Sequence, residues 1–327
     1  CQLFLLGMAD HAAVYETVNL APSRLRGLVN AILRNALRKE KAILAEREKL
    51  PLHILYSTPR WLVEKWTAQF GPEAARKLLQ WNNTTPRLYV RANSLIPLND
   101  PPEGLVPLGG APGWFSVEGL LPLKDVNSGA LYVADPSTRY AIDLLAPQPD
   151  EEILDACAAP GGKSAAIIAA TGGKARLTAT DLHEHRLPVL RENLARYGSP
   201  SVATAQADWT QPCPPQWEKR FDAVLLDVPC SNTGVIQRRV DVRWRLNPEE
   251  IRRLAALQRT ILENASRAVR PGGRLVYSTC SIDAEEDGLL VREFLKDHPE
   301  WTLKEEKLVL PQEEKSGGAY AALLICA

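Results

Sequence analysis

No apolar run in this chain approaches the roughly 20 residues that a membrane-spanning helix needs, so no membrane anchor is expected. No targeting segment is visible either, and the chain opens on Cys1 instead of methionine. It is therefore expected to be a fragment whose true start is missing, with the cytoplasm as the default compartment. Net charge is absent too: 39 basic residues balance 39 acidic ones, which excludes a protein whose whole surface attracts nucleic acid. Cys-x-x-Cys does not occur. The six cysteines (Cys1, Cys157, Cys213, Cys230, Cys280 and Cys326) lie far apart, so neither a zinc site nor a disulfide scaffold is expected, and no metal is assigned. The Gly-x-Gly-x-x-Gly spacing of nicotinamide enzymes is missing as well.

What remains is a soluble globular composition, 45% hydrophobic and 24% charged, over 327 residues, enough for two or three domains. Residues 1–46 read as helical. Leu25, Leu28, Val29, Ile32, Leu33 and Ala36 follow the i, i+3, i+4, i+7 stripe of an amphipathic helix. Residues 47–126 begin with helical segments at Trp61 to Phe70 and Pro72 to Trp81. They then turn to short alternating runs broken by Pro97, Pro101, Pro102, Pro107 and Pro112, which predicts a separate small α+β subdomain.

Local charge is uneven. Between Gln237 and Arg259 stand Arg238, Arg239, Arg243, Arg245, Arg252, Arg253 and Arg259 against Asp241, Glu249 and Glu250, or 7 minus 3. Between Arg24 and Lys41 six basic residues face Glu40 alone. Such patches can engage phosphates, although a charge run is more often a solvated face.

From about residue 127 the pattern is strand, loop, helix, repeated, which predicts a mainly parallel α/β sheet. Its strands are expected at Glu152 to Ala156, Leu177 to Thr180, Val202 to Ala207, Ala223 to Leu226 and Leu275 to Tyr277. Ala319 to Cys326 is expected to close the sheet as an antiparallel edge strand. Asn247, Pro248, Glu249 and Glu250 form a helix start signal. Ligands of open sheets bind beyond the carboxyl ends of the strands, where Asp181, Asp208, Asp227, Cys230 and Cys280 all fall.

The first strand runs into Cys157-Ala158-Ala159-Pro160-Gly161-Gly162-Lys163. The two glycines there let backbone N–H groups approach a polar ligand. Asp181 follows about twenty residues later, the offset at which an acid meets ribose hydroxyls, and Asp208 is placed to reach an adenine edge. Gly162-Lys163-Ser164 also ends like a phosphate-binding loop, but Cys157 stands where that loop needs its first glycine. A cysteine at a strand end is, alone, more often a small buried hydrophobe than a nucleophile. Two at one ligand edge suit a particular chemistry. Position 5 of a pyrimidine is a poor nucleophile, and a thiolate adding to C6 turns C5 into one that can attack a methylsulfonium carbon. Lys163 or a nearby arginine could supply the setting that favours a thiolate.

Residues Leu154 to Lys163, Asp227-Val228-Pro229-Cys230 and Thr279-Cys280-Ser281 resemble the signature motifs of the RNA cytosine-5 methyltransferases of the NOL1/NOP2/Sun family. The likeness covers residues 127–327. Leu28-Val29-Asn30-Ala31-Ile32-Leu33-Arg34 is similar to the end of a NusB-like RNA-binding domain, which marks the RsmB (Sun/Fmu) branch that modifies 16S ribosomal RNA. The resemblance implies a class I, Rossmann-like methyltransferase sheet at 127–327, a linking subdomain at 47–126 and a NusB-like helical remnant at 1–46. It implies S-adenosylmethionine as cofactor, held by Cys157, Ala158, Ala159, Pro160, Gly161, Gly162, Lys163, Asp181, Asp208 and Asp227. Cys280 would be the nucleophile, Cys230 would assist product release, and Asp227 would hold the cytosine edge, with Lys163 facing either cofactor or base. A ribosomal RNA partner and a monomer complete the expectation. Transfer RNA as substrate, a phosphate-binding-loop protein and a plain RNA-binding module are the alternatives. The chain departs from the family pattern at Asn232 (usually glycine), at Glu286-Asp287 (usually Glu-Asn) and at Gly317-Gly318-Ala319-Tyr320 (usually Asp-Gly-Phe-Phe). Arg238, Arg239, Arg243 and Arg245 are the candidates for RNA backbone contacts.

Overall fold

A computed structural model describes residues 3, 4, 6, 8–98, 101–199 and 202–327, and Cys1 lies outside them. These residues divide into two compact units, 1–64 and 65–327. The first holds helices α1 (Asp10–Leu20), α2 (Arg26–Arg38), α3 (Glu40–Arg47) and α4 (Leu52–Leu55), and the division falls inside α5 (Arg60–Phe70). The expected amphipathic helix is α2, but none of its residues is buried, and Leu28 and Ile32 are 59% and 57% exposed.

The second unit starts with α6 (Pro72–Trp81) and then builds an antiparallel sheet. Its strands β1 (Leu88–Ala92), β2 (Leu105–Pro107) and β3 (Trp114–Val117) are joined, after α7 (Leu123–Ser128), by β4 (Leu131–Val133), in the order β2-β3-β1-β4. Helix α8 (Arg139–Leu145) leads into the large sheet. There β5 (Glu152–Asp155), α9 (Gly162–Ala170), β6 (Arg176–Asp181), α10 (Leu187–Arg196), β7 (Ala203–Gln206) and β8 (Phe221–Asp227) follow in turn. After α11 (Val242–Arg245) and α12 (Pro248–Ser266) come β9 (Val269–Thr279), α13 (Gly288–Asp297), β10 (Trp301–Val309), α14 (Pro311–Glu314) and β11 (Ala319–Cys326).

The seven strands lie in the order β10-β11-β9-β8-β5-β6-β7. Strands β5 to β9 pair in parallel, while β11 runs antiparallel to both β9 and β10. The expectation for the last strand is thus right in direction and wrong in place: β11 is interior, and β10 forms the edge. Lys304, Glu305, Glu306 and Lys307 in succession, with a register shift between Leu303 and Glu305, hide the period-2 signal of β10.

Side chains alternate across the sheet as the strand period requires. Leu154, Val224, Leu226 and Tyr277 face one core with Leu262 of α12 and Phe294 of α13, and Ile153, Leu225 and Val276 face another with Leu145 of α8 and Ile167 of α9. The order of strands reverses between β5 and β8, which opens a crevice at their carboxyl ends. Asn247 caps α12 as its sequence predicts, accepting the Glu250 N–H at 2.8 Å.

Candidate active site

The chain leaves β5 at Asp155 and enters α9 at Gly162, so the glycine loop lies at the crevice. Gly161 has φ +106°, and a side chain there would press on Leu190 at 2.9 Å. A Cβ at Gly162 would collide with the Tyr132 hydroxyl. The loop therefore folds closely because both positions lack side chains.

Around this loop is a cleft of about 430 Å³, lined among others by Cys157, Pro160, Asp181, Asp208, Cys230 and Cys280. Asp181 ends β6 and is buried. Its carboxylate accepts N–H bonds from Ala159 (3.3 Å) and His183 (3.0 Å) and pairs with Arg186 at 3.2 Å. Asp208 lies two residues beyond β7, exposed, with Oδ1 accepting the Thr210 N–H and hydroxyl at 2.9 and 2.6 Å. A glycine cradle between two strand-terminal acids fits the nucleoside of S-adenosylmethionine, whose ribose and adenine edge need acceptors. Cys157 is no nucleophile: burial, then the nearby Asp155, Asp227 and Asp181, push its thiol far up.

Strands β8 and β9 are parallel neighbours with Asp227 opposite Ser278, which is why two cysteines 50 residues apart reach one edge. Cys230 Sγ lies 3.0 Å from Cys280 Sγ. The bond to Cys280, then burial, push the Cys230 thiol well up, so Cys230 keeps its proton. Lys163 Nζ meets Asp227 Oδ2 at 2.6 Å. Burial works against the Lys163 charge, but Asp227 outweighs it and raises the pKa, leaving a cation close to the thiols.

Asn232 takes up the left-handed conformation, φ +63°, where asparagine is among the few tolerated replacements for glycine. Its amide donates to the Cys230 carbonyl at 2.8 Å, and its Oδ1 accepts from Cys280 Sγ at 3.2 Å. The departure from glycine thus adds a contact to both cysteine loops. Asp287 accepts the Thr279 hydroxyl at 2.6 Å, and burial pushes its carboxyl well up. A neutral acid there stands in for the neutral amide of asparagine.

Sequence reasoning missed Glu286 as a site residue. Fully buried, its Oε1 accepts the Ser231 N–H (2.9 Å) and the Gln258 amide (2.8 Å), and its Oε2 accepts the hydroxyls of Ser281 (2.6 Å) and Ser231. Ser231 follows Cys230 and Ser281 follows Cys280. One carboxylate therefore ties the two cysteine loops together and to α12. The signal available was a serine after each cysteine, with an acid five residues after Ser281, but the pairing itself is tertiary.

Of the arginine candidates, three serve the protein itself. Arg238 pairs with Asp135 at 2.8 Å, buried Arg243 holds Asn83 and the Asn82 carbonyl at 2.9 and 3.0 Å, and Arg245 pairs with Asp241. Arg239 is exposed on the cleft wall with no ion pair among the described residues. Among these residues no group of three or more His, Cys, Asp or Glu gathers as a metal site would, and no helix is long and apolar enough to cross a membrane.

Residues 142–325 match the family model described as 16S rRNA methyltransferase RsmB/F, and residues 58–96 match that of the RsmF/B-like ferredoxin-like domain. Ribosomal RNA small subunit methyltransferase B of Vibrio cholerae is 36% identical, over 99% of this chain and 78% of its own. Among solved structures, PH0851 superposes with a TM-score of 0.79 and 27% identity, covering 97% of this chain and 77% of that one. NSun6 from Pyrococcus horikoshii, solved with SFG, shares the fold, with a TM-score of 0.69, 22% identity, and coverage of 82% and 98%.

Proposed function

Because the chain belongs to the RsmB/F family of S-adenosylmethionine-dependent RNA cytosine-5 methyltransferases, we propose that it methylates C5 of a cytosine in 16S ribosomal RNA, with Cys280 as nucleophile. The observation that carries this reading is the pair of thiols 3.0 Å apart beside the Lys163–Asp227 pair. In this reading the Cys280 sulfur forms a bond to C6 of the base, and the C5–C6 π electrons become available at C5. S-adenosylmethionine, when bound, supplies an electrophilic methyl group. Asp227 holds the cytosine edge, and Lys163, 2.6 Å away, holds Asp227 in place. The C5 proton then leaves to water, its bonding pair re-forms the C5–C6 double bond, and the C6–S bond breaks with its pair returning to sulfur as the Cys280 thiolate. Cys230 assists this release as the side chain nearest the breaking bond.

Cys157 to Lys163, Asp181, Asp208 and Asp227 hold the cofactor. The target cytosine is unpaired or flipped out, because C6 must be reached from above the ring. Arg239 and the helical region 1–46 contact the RNA, 47–126 links it to the catalytic region 127–327, and a single copy acts in the cytoplasm.

The test is mapping of 5-methylcytosine in 16S and transfer RNA incubated with the protein and its cysteine variants. Cys280→Ala should abolish methylation with near-normal cofactor binding, and Cys230→Ala should accumulate a covalent protein–RNA adduct. Full activity of Cys280→Ala would overturn the nucleophile; methylation confined to transfer RNA would overturn the substrate.

A further inference from the structure

Helix α11 is a single turn between the Cys230 loop and α12. Its residues Val242 and Arg243 are buried, and the Arg243 guanidinium ties the turn to the end of α6 through Asn83 and the Asn82 carbonyl. Trp244, the next residue, is 63% exposed, and of the chain's eight tryptophans it alone is exposed. Val240, four residues earlier, is exposed as well. The Trp244 indole has neither a hydrogen bond nor a ring contact among the described residues. A buried arginine next to it in the chain thus holds an aromatic face out to solvent on a fixed mount.

Beside this turn lies a hollow of about 320 Å³, lined among others by Cys230, Asn232, Val242, Arg245 and Leu246. Cys230 and Asn232 also line the main cleft, so the hollow and the thiol site meet at the Cys230 loop. The volume lies at the low end of the ~300–1,000 Å³ of ligand sites, room for one nucleotide next to a base placed at Cys280. Charge around it is uneven. Arg245 pairs with Asp241, and Glu250 on the wall is taken up by Arg253, which leaves exposed Arg239 as the uncompensated cation. Protein interfaces keep charge away from their centres. A cationic groove with an aromatic platform is instead how single-stranded nucleic acid is held, bases stacking on the ring while arginines meet the backbone.

We propose that Trp244 is the stacking platform for a nucleotide that adjoins the target cytosine, with Arg239 and Arg245 meeting the phosphates of that strand. The platform fixes the path of the strand away from the thiol site, and Trp244 acts on RNA affinity with no part in bond making. This rests on the reading of RNA as the substrate.

The experiment measures binding of the full chain, by fluorescence anisotropy, to two labelled strands: an oligocytidylate decamer and a decamer of the same backbone with every base removed. Trp244→Ala should weaken the oligocytidylate about 5- to 100-fold and leave the abasic strand unchanged. Trp244→Phe, which keeps a ring, should restore most of the loss, and Arg239→Ala should weaken both strands alike. With unmodified 16S RNA as substrate, Trp244→Ala should raise KM by a similar factor, with kcat and S-adenosylmethionine affinity near their wild-type values. Wild-type oligocytidylate affinity in Trp244→Ala overturns the proposal, as does equal weakening of both strands. A wild-type dimer that Trp244→Ala dissociates, with RNA affinity intact, overturns it in favour of a contact between copies. Wild-type protein that binds neither strand and methylates neither 16S nor transfer RNA would instead sink the reading of RNA as substrate.

Discussion

On the glycine-loop side of the crevice, Arg91 and Tyr132 line a cavity and Asp155 Oδ1 is buried beside it, without hydrogen-bond partners among the described residues. On the thiol side, Ser231, Ser281 and Gln258 direct their hydrogen bonds to Glu286. The difference separates two ways of building a site. Where a ligand will supply the missing partners, polar groups are left open and the free protein bears the cost. Where reacting atoms must already be placed, polar groups satisfy one another and the geometry exists before the substrate arrives. Cys230 and Cys280 belong to the second kind, since each is followed by a serine bound to the same carboxylate.

The comparison breaks most severely at Glu286. Glu286→Ala leaves the Ser231 N–H and the Gln258 amide without their acceptor inside the core, and it should cost about 3 kcal/mol in denaturant unfolding. Turnover should fall about 100-fold or more as the thiols lose their placement, a loss of roughly 3 kcal/mol in barrier lowering, while cofactor affinity holds. Glu286→Gln, which keeps the shape, should fall between. Unchanged turnover in the alanine variant would show that the network is packing only.

A second, smaller effect tests the open side. Burial raises the Asp155 carboxyl from its ordinary 3.8 to about 7, despite the Ser164 hydroxyl. Between those values the folded protein keeps a proton that the unfolded chain releases, so stability is full below about pH 4 and declines as pH rises towards 7. Asp155→Asn should remove that slope from the pH dependence of thermal unfolding. A slope that survives the substitution assigns it elsewhere.

The smallest change is a control. Asn247→Ala removes the cap of α12, which carries Gln258, and should cost about 1 kcal/mol with turnover and both ligand affinities intact. A drop in turnover would mean that the thiol network feels the helix end directly.

Local signals made part of this legible. Short apolar runs such as Ala223 to Leu226, repeating with loops and helices, marked the strands, Gly161 and Gly162 marked the loop, and Asp181, Asp208, Asp227, Cys230 and Cys280 fall at strand ends because parallel strands share one ligand edge. Residues that act across distance were not legible. Glu286 reaches Ser231 over 55 positions. Arg91 lies in a strand without a motif, and only folding shows that it meets two aromatic rings and no ion-pair partner among the described residues. The arginines of 238–245 looked alike as charges, yet Arg243 is a buried structural link and Arg239 an exposed cation on the cleft wall. Charge counts report none of that.

Strand β10 has a consequence outside catalysis. A sheet edge is a template on which another chain can add a strand, and long edges of that kind lead to aggregates. Here one edge carries two lysines and two glutamates in succession over a shifted register, and the other, β7, is only four residues long. Neither offers an even row of backbone groups to a second copy, so crowding is not expected to extend the large sheet edge to edge.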